Sequence, residues 1–208
     1  MTTSFKPRAT GPATWSTLVD GVCALGAGEL VILHHDGRFV LVGCAGTATT
    51  LQVAFLIRHS TGFLQVALHE SDCDRLLLPE ATPSTRDIVS PCHGQCVAVD
   101  AAVGVTTGIS GADRARTARV LADPASKPDD LSRPGHLVPV RVNPDAYQGR
   151  HAPAAVALAL TDAAHPEFSG ALFADLEGIE DATDLAHAGD AELIAARYGM
   201  TLVSSATY

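Results

Sequence analysis

A few short runs of histidine, aspartate, cysteine and glycine hold the side chains of this sequence with chemistry to offer. The run Gly104-Val105-Thr106-Thr107-Gly108-Ile109-Ser110-Gly111-Ala112-Asp113-Arg114 is a glycine-punctuated turn feeding a helix, with Ser110 or Asp113 as its N-cap. Gly108 and Gly111 permit close backbone approach, and a helix start offers free N–H groups to an anion. The same run also reads as an ordinary capped turn. His136 stands on the Pro134-Gly135 turn ahead of an apolar run, and His151 stands just before a helix opened by Pro153. Two histidines at such junctions can share one site as acid/base groups or as ligands. Cys92-His93-Gly94-Gln95-Cys96 gathers two thiols and an imidazole, but no second ligand pair follows at finger-like spacing, so it reads as a loop with free thiols. Cys44 has no visible base beside it. Cys23 falls on the apolar side of a helix and is expected in the core. Glu70 and Asp72 read as surface or capping charges, and Glu177, Glu180, Asp181 and Asp184 as a solvated acidic face.

The elements that must position these groups follow from periodicity. Trp15, Leu18, Val19, Val22 and Leu25 recur at helical spacing, and Gly26 and Gly28 stop that helix. Leu30 to Leu33 and Phe39 to Val42 are apolar runs around Asp36-Gly37, a hairpin signal that also fits one bent strand around a loop. Thr50 leads a helix ending near His59, and Phe63 to Leu68 reads as a buried strand. Pro79 to Gly94 is the longest loop, and Pro124 to Pro134 a second one. Val97 to Val99, Leu137 to Val142 and Ala171 to Phe173 read as strands. Helices are expected from Ala112 to Leu121, from Pro153 to Ala164, and from an Asp190 cap to Gly199. Strands alternating with helices over one core suggest a layered α/β or α+β domain.

Composition narrows the function classes. With 47% hydrophobic and 18% charged residues in 208, the chain can bury a proper core. Lys plus Arg number 14 against 23 for Asp plus Glu, a net charge of −9. That balance argues against nucleic acid or an anionic membrane as partner, since both need a basic face. No apolar run is long enough to span a bilayer. Met1 to Thr14 lack the apolar core of an export signal, and five cysteines, an odd number, read as reduced thiols. The expected location is the cytoplasm.

Thr106-Thr107-Gly108-Ile109-Ser110, Ala112-Asp113-Arg114, Thr117, Lys127-Pro128, Asp130-Leu131 and Arg133-Pro134-Gly135-His136 together resemble the 3,4-dihydroxy-2-butanone 4-phosphate synthase family of riboflavin biosynthesis. Ile57-Arg58-His59, Gly62 and Leu78-Pro79 extend the resemblance upstream, and Gly170, Asp190 and Gly199 downstream. It implies an α+β sandwich, a mixed sheet packed with helices, as a single domain over residues 1–208. It also implies a homodimer with interfacial active sites. The family's reaction converts ribulose 5-phosphate, with magnesium, into dihydroxybutanone phosphate and formate.

The sequence departs from the family pattern where the chemistry is done. The family's acidic Arg-Glu-Asn-Glu-Gly-Asp loop is replaced by His34-His35-Asp36-Gly37-Arg38-Phe39-Val40, with Arg38 matching the arginine and apolar residues where the carboxylates stood. The family's Arg-Gly-Gly-His-Thr-Glu becomes Gln148-Gly149-Arg150-His151-Ala152-Pro153, which keeps the histidine. Its Cys-Glu pair becomes Phe173-Ala174, with Asp175 one step on. Magnesium wants oxygen ligands, so the expectation is a repurposed, metal-free enzyme of lyase, isomerase or cyclase type acting on a less charged small molecule. Its catalytic groups are expected to be His136, His151 and Asp113. Arg38, Thr107, Ser110, Arg114, Thr117, Arg150, His34, His35, Phe39 and Phe173 are expected to bind the substrate. The alternatives are the family's own reaction, with magnesium, and a non-catalytic metabolite-binding or partner protein.

Overall fold

The structure is a computed structural model that describes residues 14–81, 94–142, 152–179, 181 and 183–205. Its frame is an eight-stranded mixed sheet. The strands are β1 (Trp15–Ser16), β2 (Val31–His35), β3 (Arg38–Cys44), β4 (Gln65–His69), β5 (Val99–Ala101), β6 (Leu131–Val142), β7 (Ala171–Asp175) and β8 (Thr201–Ser204). They lie in the order β1-β8-β2-β3-β7-β4-β6-β5. The helices are α1 (Leu18–Gly26), α2 (Thr50–His59), α3 (Glu70–Arg75), α4 (Gly111–Ala122), α5 (Ala152–Ala164) and α6 (Ala188–Tyr198). Among the described residues no helix is long and apolar enough to cross a membrane.

Strand alternation divides the core into two layers. Leu41, Val66, Leu172 and Ala174 face one side, where α2, α4 and α6 supply Val53, Leu56, Leu121 and Ile194. Val40, Val42, Ala67 and Phe173 face the other, against Leu25 of α1 and Leu158 of α5. Both layers are closed to water, which makes the strands read as continuous apolar runs.

The Asp36-Gly37 hairpin forms, with φ of 48° and 74° at its two central residues, the positive pair that a tight β2–β3 turn requires. Thr17 and Thr49 cap α1 and α2 by reciprocal boxes with Asp20 and Gln52. Gly199 ends α6 in the left-handed conformation.

Several expectations are corrected. The first helix starts after Trp15, which instead pairs with Leu202 in the edge strand β1. Cys23 is exposed rather than in the core. β6 begins at Leu131, so Ser132 to Pro134 belong to a strand and not to a loop. His187, not Asp190, is the N-cap of α6; Asp190 accepts a hydrogen bond from the His187 N–H three residues back, at 3.0 Å. The expected loop at 79–94 falls largely outside the described residues.

Candidate functional site

Asp100 is the middle residue of β5, and β6 is pinned beside it where the Gly135 N–H donates to the Ala98 carbonyl at 2.9 Å. A side chain at Gly135 has no room, because its Cβ would come within 2.2 Å of the Val99 carbonyl carbon and the Asp100 nitrogen. This close approach delivers His136 to Asp100. The His136 backbone N–H donates to Asp100 Oδ1 at 3.0 Å, and Nδ1 lies 2.8 Å from Oδ2. An ionised carboxylate only accepts, so the ring proton sits on Nδ1 and Nε2 is left with its lone pair. The Asp100 side chain is 10% exposed and that of His136 40%, so the pair is anchored inside and open outside.

The glycine-rich turn closes over this pair. Gly108, at φ +82°, would place a Cβ 2.0 Å from Asp100 Oδ2 and 2.6 Å from His136 Nδ1, so only glycine fits. Asp113 holds the turn by accepting from the Thr106 N–H at 3.1 Å, the Thr106 hydroxyl at 2.8 Å and the Gly108 N–H at 3.1 Å. The Thr106 hydroxyl, ahead of the Thr106 backbone, Ser110 and the Gly108 N–H, holds the Asp113 carboxyl below its usual range against a smaller opposing effect of desolvation. Ser110 caps α4 by accepting from the Asp113 N–H at 3.1 Å. The buried Thr117 hydroxyl donates to the Asp113 carbonyl and accepts from Ala101 N–H, tying α4 to β5. Arg114 donates to the Gly62 carbonyl at 3.1 Å, and its buried Nε has no partner among the described residues. Thr107 is exposed at the lip of the turn. The block is thus one construction that presents His136, with Asp113 and Thr117 engaged in building it.

A second group shares the end of the sheet at which His136 stands. Val138 of β6 is in register with Gln65, Gln65 with Phe173, and Phe173 with Val42. One step outward along the same face come His136 on β6 and Asp175 on β7, two strand spacings or roughly 10 Å apart. Arg38 reaches across from β3 and grips Asp175, with Nη2 at 2.6 and 2.7 Å from its two oxygens and Nε at 3.0 Å from one. α5 covers this face. Asp162 near its C-terminal end meets His69 at the far end of β4, at 2.7 Å, so its first turn lies toward Gln65 and Asp175. Arg150 and His151, just ahead of that turn, lie outside the described residues.

The structure does not bring all expected residues together. His34 and Phe39 stack on each other at 4.6 Å on the opposite face of the sheet from Arg38 and Phe173, beside Trp15. His34 bonds Ser204, and His35 bonds Ser205, at the β8 edge. Phe173 is packed into the layer under α5. Asp100 is absent from the expected set; its one signal is an aspartate inside a strand, where that residue is depleted. Cys96 is buried beside Cys73 in the core. Burial, with Glu167 and Asp162 nearby, pushes the Cys44 thiol up to about 12, so it stays protonated.

Among the described residues no three His, Cys, Asp or Glu side chains gather to hold a metal. Among the described residues, the carboxylates near His136 are already engaged, Asp175 by Arg38 and Asp100 by His136. These residues do not fit a magnesium ion, which takes oxygen ligands.

The sequence profile of 3,4-dihydroxy-2-butanone 4-phosphate synthase matches residues 20–207. The riboflavin biosynthesis protein RibBA of Salinispora tropica is 36% identical over 197 residues, covering 93% of this chain and 48% of that protein. The protein of the same name from Mycobacterium tuberculosis is 37% identical over 193 residues, covering 89% and 44%. The chain thus spans about half the length of these relatives. Among solved structures, the 3,4-dihydroxy-2-butanone 4-phosphate synthase of Candida albicans superposes with a TM-score of 0.79 at 29% identity, covering 91% of this chain and 94% of that one. Another such synthase, in complex with two magnesium ions, gives 0.79 at 26% identity, covering 91% and 93%.

These likenesses overturn the expectation of a repurposed enzyme. Relatives about 36% identical over nearly the whole chain carry the name of the riboflavin pathway, and the family's own reaction accounts for them better. The expectation of no cofactor finds no support either, since a solved relative holds magnesium.

Proposed function

Because the chain belongs to the 3,4-dihydroxy-2-butanone 4-phosphate synthase family, we propose that it catalyses the family's reaction, from ribulose 5-phosphate to dihydroxybutanone phosphate and formate. The observation that carries this reading is the Asp100–His136 pair under the Gly108 turn. The reaction rearranges a ketose through enolised forms, and each enolisation needs a positioned group that takes a proton and returns it. His136 Nε2 is such a group. Asp100 holds the proton on Nδ1 and would stabilise the imidazolium formed when Nε2 accepts one from carbon. Arg38, fixed by Asp175, supplies a cation at the same end of the sheet for a carbonyl or phosphate oxygen. Thr107 is free to donate to the substrate from the turn.

Magnesium enters the proposal from a solved relative that holds it, and no step is routed through the ion. Further parts of the reading are a homodimer with shared active sites, a single domain over residues 1–208 and a cytoplasmic location. The apolar residues Leu77, Val103 and Ile109, each more than half exposed, support the first. The one sheet shared by β1 to β8 supports the second.

The test is formate release from ribulose 5-phosphate by the pure chain, with and without magnesium. Stoichiometric formate, reduced on the order of 100-fold or more by His136→Ala with the fold intact, is the expected result. No formate under either condition would overturn the proposal.

A further inference from the structure

On the opposite face of the sheet from the His136 site, a cleft of about 270 Å³ opens between the end of α2, the loop after β7 and α6. Arg58 and Arg197 line it, both exposed, and neither guanidinium has a hydrogen bond or ion pair among the described residues. Glu177 lines the same cleft and pairs with neither. Two unpaired arginines in one cleft of a chain with net charge −9 are a local reversal of sign.

Beyond Gly178, the rest of the lining is ring and aliphatic side chains, His59, Tyr198, Ile179, Leu193 and Ile194, with Phe55 packed against the two rings from outside the lining. His59, Phe55 and Tyr198 form a ring cluster with centroids 4.5, 4.9 and 5.1 Å apart. The Arg197 guanidinium stands 5.6 Å from the Tyr198 ring centre. Ile179 and Leu193 form the rim, 45% and 54% exposed. Burial, then Arg58 and Arg197, holds the His59 imidazole below its usual pKa, so the positive charge in the cleft is that of the two guanidiniums. The loop wall is fixed, since the Gly178 N–H donates to the Asp184 carbonyl at 3.0 Å and the Ile179 N–H to Asp190 Oδ1 at 3.2 Å.

We propose that this cleft is a second small-molecule site, which takes an organic anion with a flat apolar body, an aromatic phosphate being the simplest form. Arg58 and Arg197 would grip the phosphate oxygens through their planar donor forks, and the ring would lie against Tyr198, Ile179 and Leu193. Inorganic phosphate alone leaves most of the volume unfilled. The cleft lies just below the usual 300–1,000 Å³ of small-molecule sites, which sets the scale at about one ring and its anionic group.

The test is calorimetric titration of the whole chain with phenyl phosphate, inorganic phosphate and benzyl alcohol, with the Tyr and His ring signals followed by NMR. Phenyl phosphate is expected to bind and to shift Tyr198 and His59, with each of the other two at least tenfold weaker. Arg58→Ala with Arg197→Ala should weaken phenyl phosphate at least tenfold. Leu193→Glu, a change on the exposed rim, should do the same by repulsion. Formate release should stay at the wild-type rate in these variants, which separates this site from the first. Unchanged affinity in the variants, no binding of phenyl phosphate, or its complete displacement by ribulose 5-phosphate would each overturn the proposal.

Discussion

Asp100 and His136 stand 36 positions apart in the chain, and their pairing decides which nitrogen of the histidine is available for chemistry. Asp100→Asn keeps the volume and removes the charge. It should lower kcat by about 10-fold or more, leave KM for ribulose 5-phosphate nearly unchanged and shift the pH profile of kcat. A merely structural role for Asp100 would leave that profile where it is, so steady-state kinetics across pH decides the matter. His136 was legible in the sequence because a Pro-Gly turn before an apolar strand marks a side chain held at an element's mouth. Asp100 was not, because its partner arrives by strand pairing that no local spacing records. Phe39 misled for a related reason. It adjoins Arg38 in sequence, but neighbours in a strand point to opposite faces, and the hairpin turn sets which face each receives.

The turn from Thr106 to Ser110 and the helix α4 behave as one element through Asp113. Its carboxyl is held below its usual pKa in the folded chain, so its contribution to stability is complete above the unfolded value of about 3.9 and is lost as pH falls through the folded value. Asp113→Asn should therefore lower the urea midpoint at pH 7, and the gap from wild type should close in acid; unfolding curves at pH 7 and pH 3 check this. Gly108→Ala should disable the same element from the other side, with formate release falling at least tenfold, because the added methyl occupies the place of Asp100 Oδ2. Most elements were readable from periodicity and capping. α3 and β8 were not, being six and four residues long and too short for a period to show. The long β6 was cut short in the reading because Pro134 and Gly135 look like loop, although the edge-proximal start of a strand tolerates them.

At the scale of the whole molecule, two apolar layers share one sheet, and each has its own consequence for function. One carries α5 and the His136 end, the other the cleft between α2 and α6. Leu41 is fully buried between β3's neighbours, and Leu41→Ala should cost about 2–5 kcal/mol, read from denaturant unfolding. A chain that buries Leu77, Val103 and Ile109 against a second copy should sediment at twice its 21.5 kDa, and Ile109→Glu should halve that mass. The edge of the sheet has a different kind of consequence. β1 and β8 run parallel, side by side, with Trp15 opposite Leu202, and β8 runs parallel to β2 as well. Tension applied between Trp15 and Ser204 therefore acts along the strands and loads their ladder of hydrogen bonds together, in shear, instead of peeling them one by one. Pulled between these two residues, this edge of the sheet would resist as one unit.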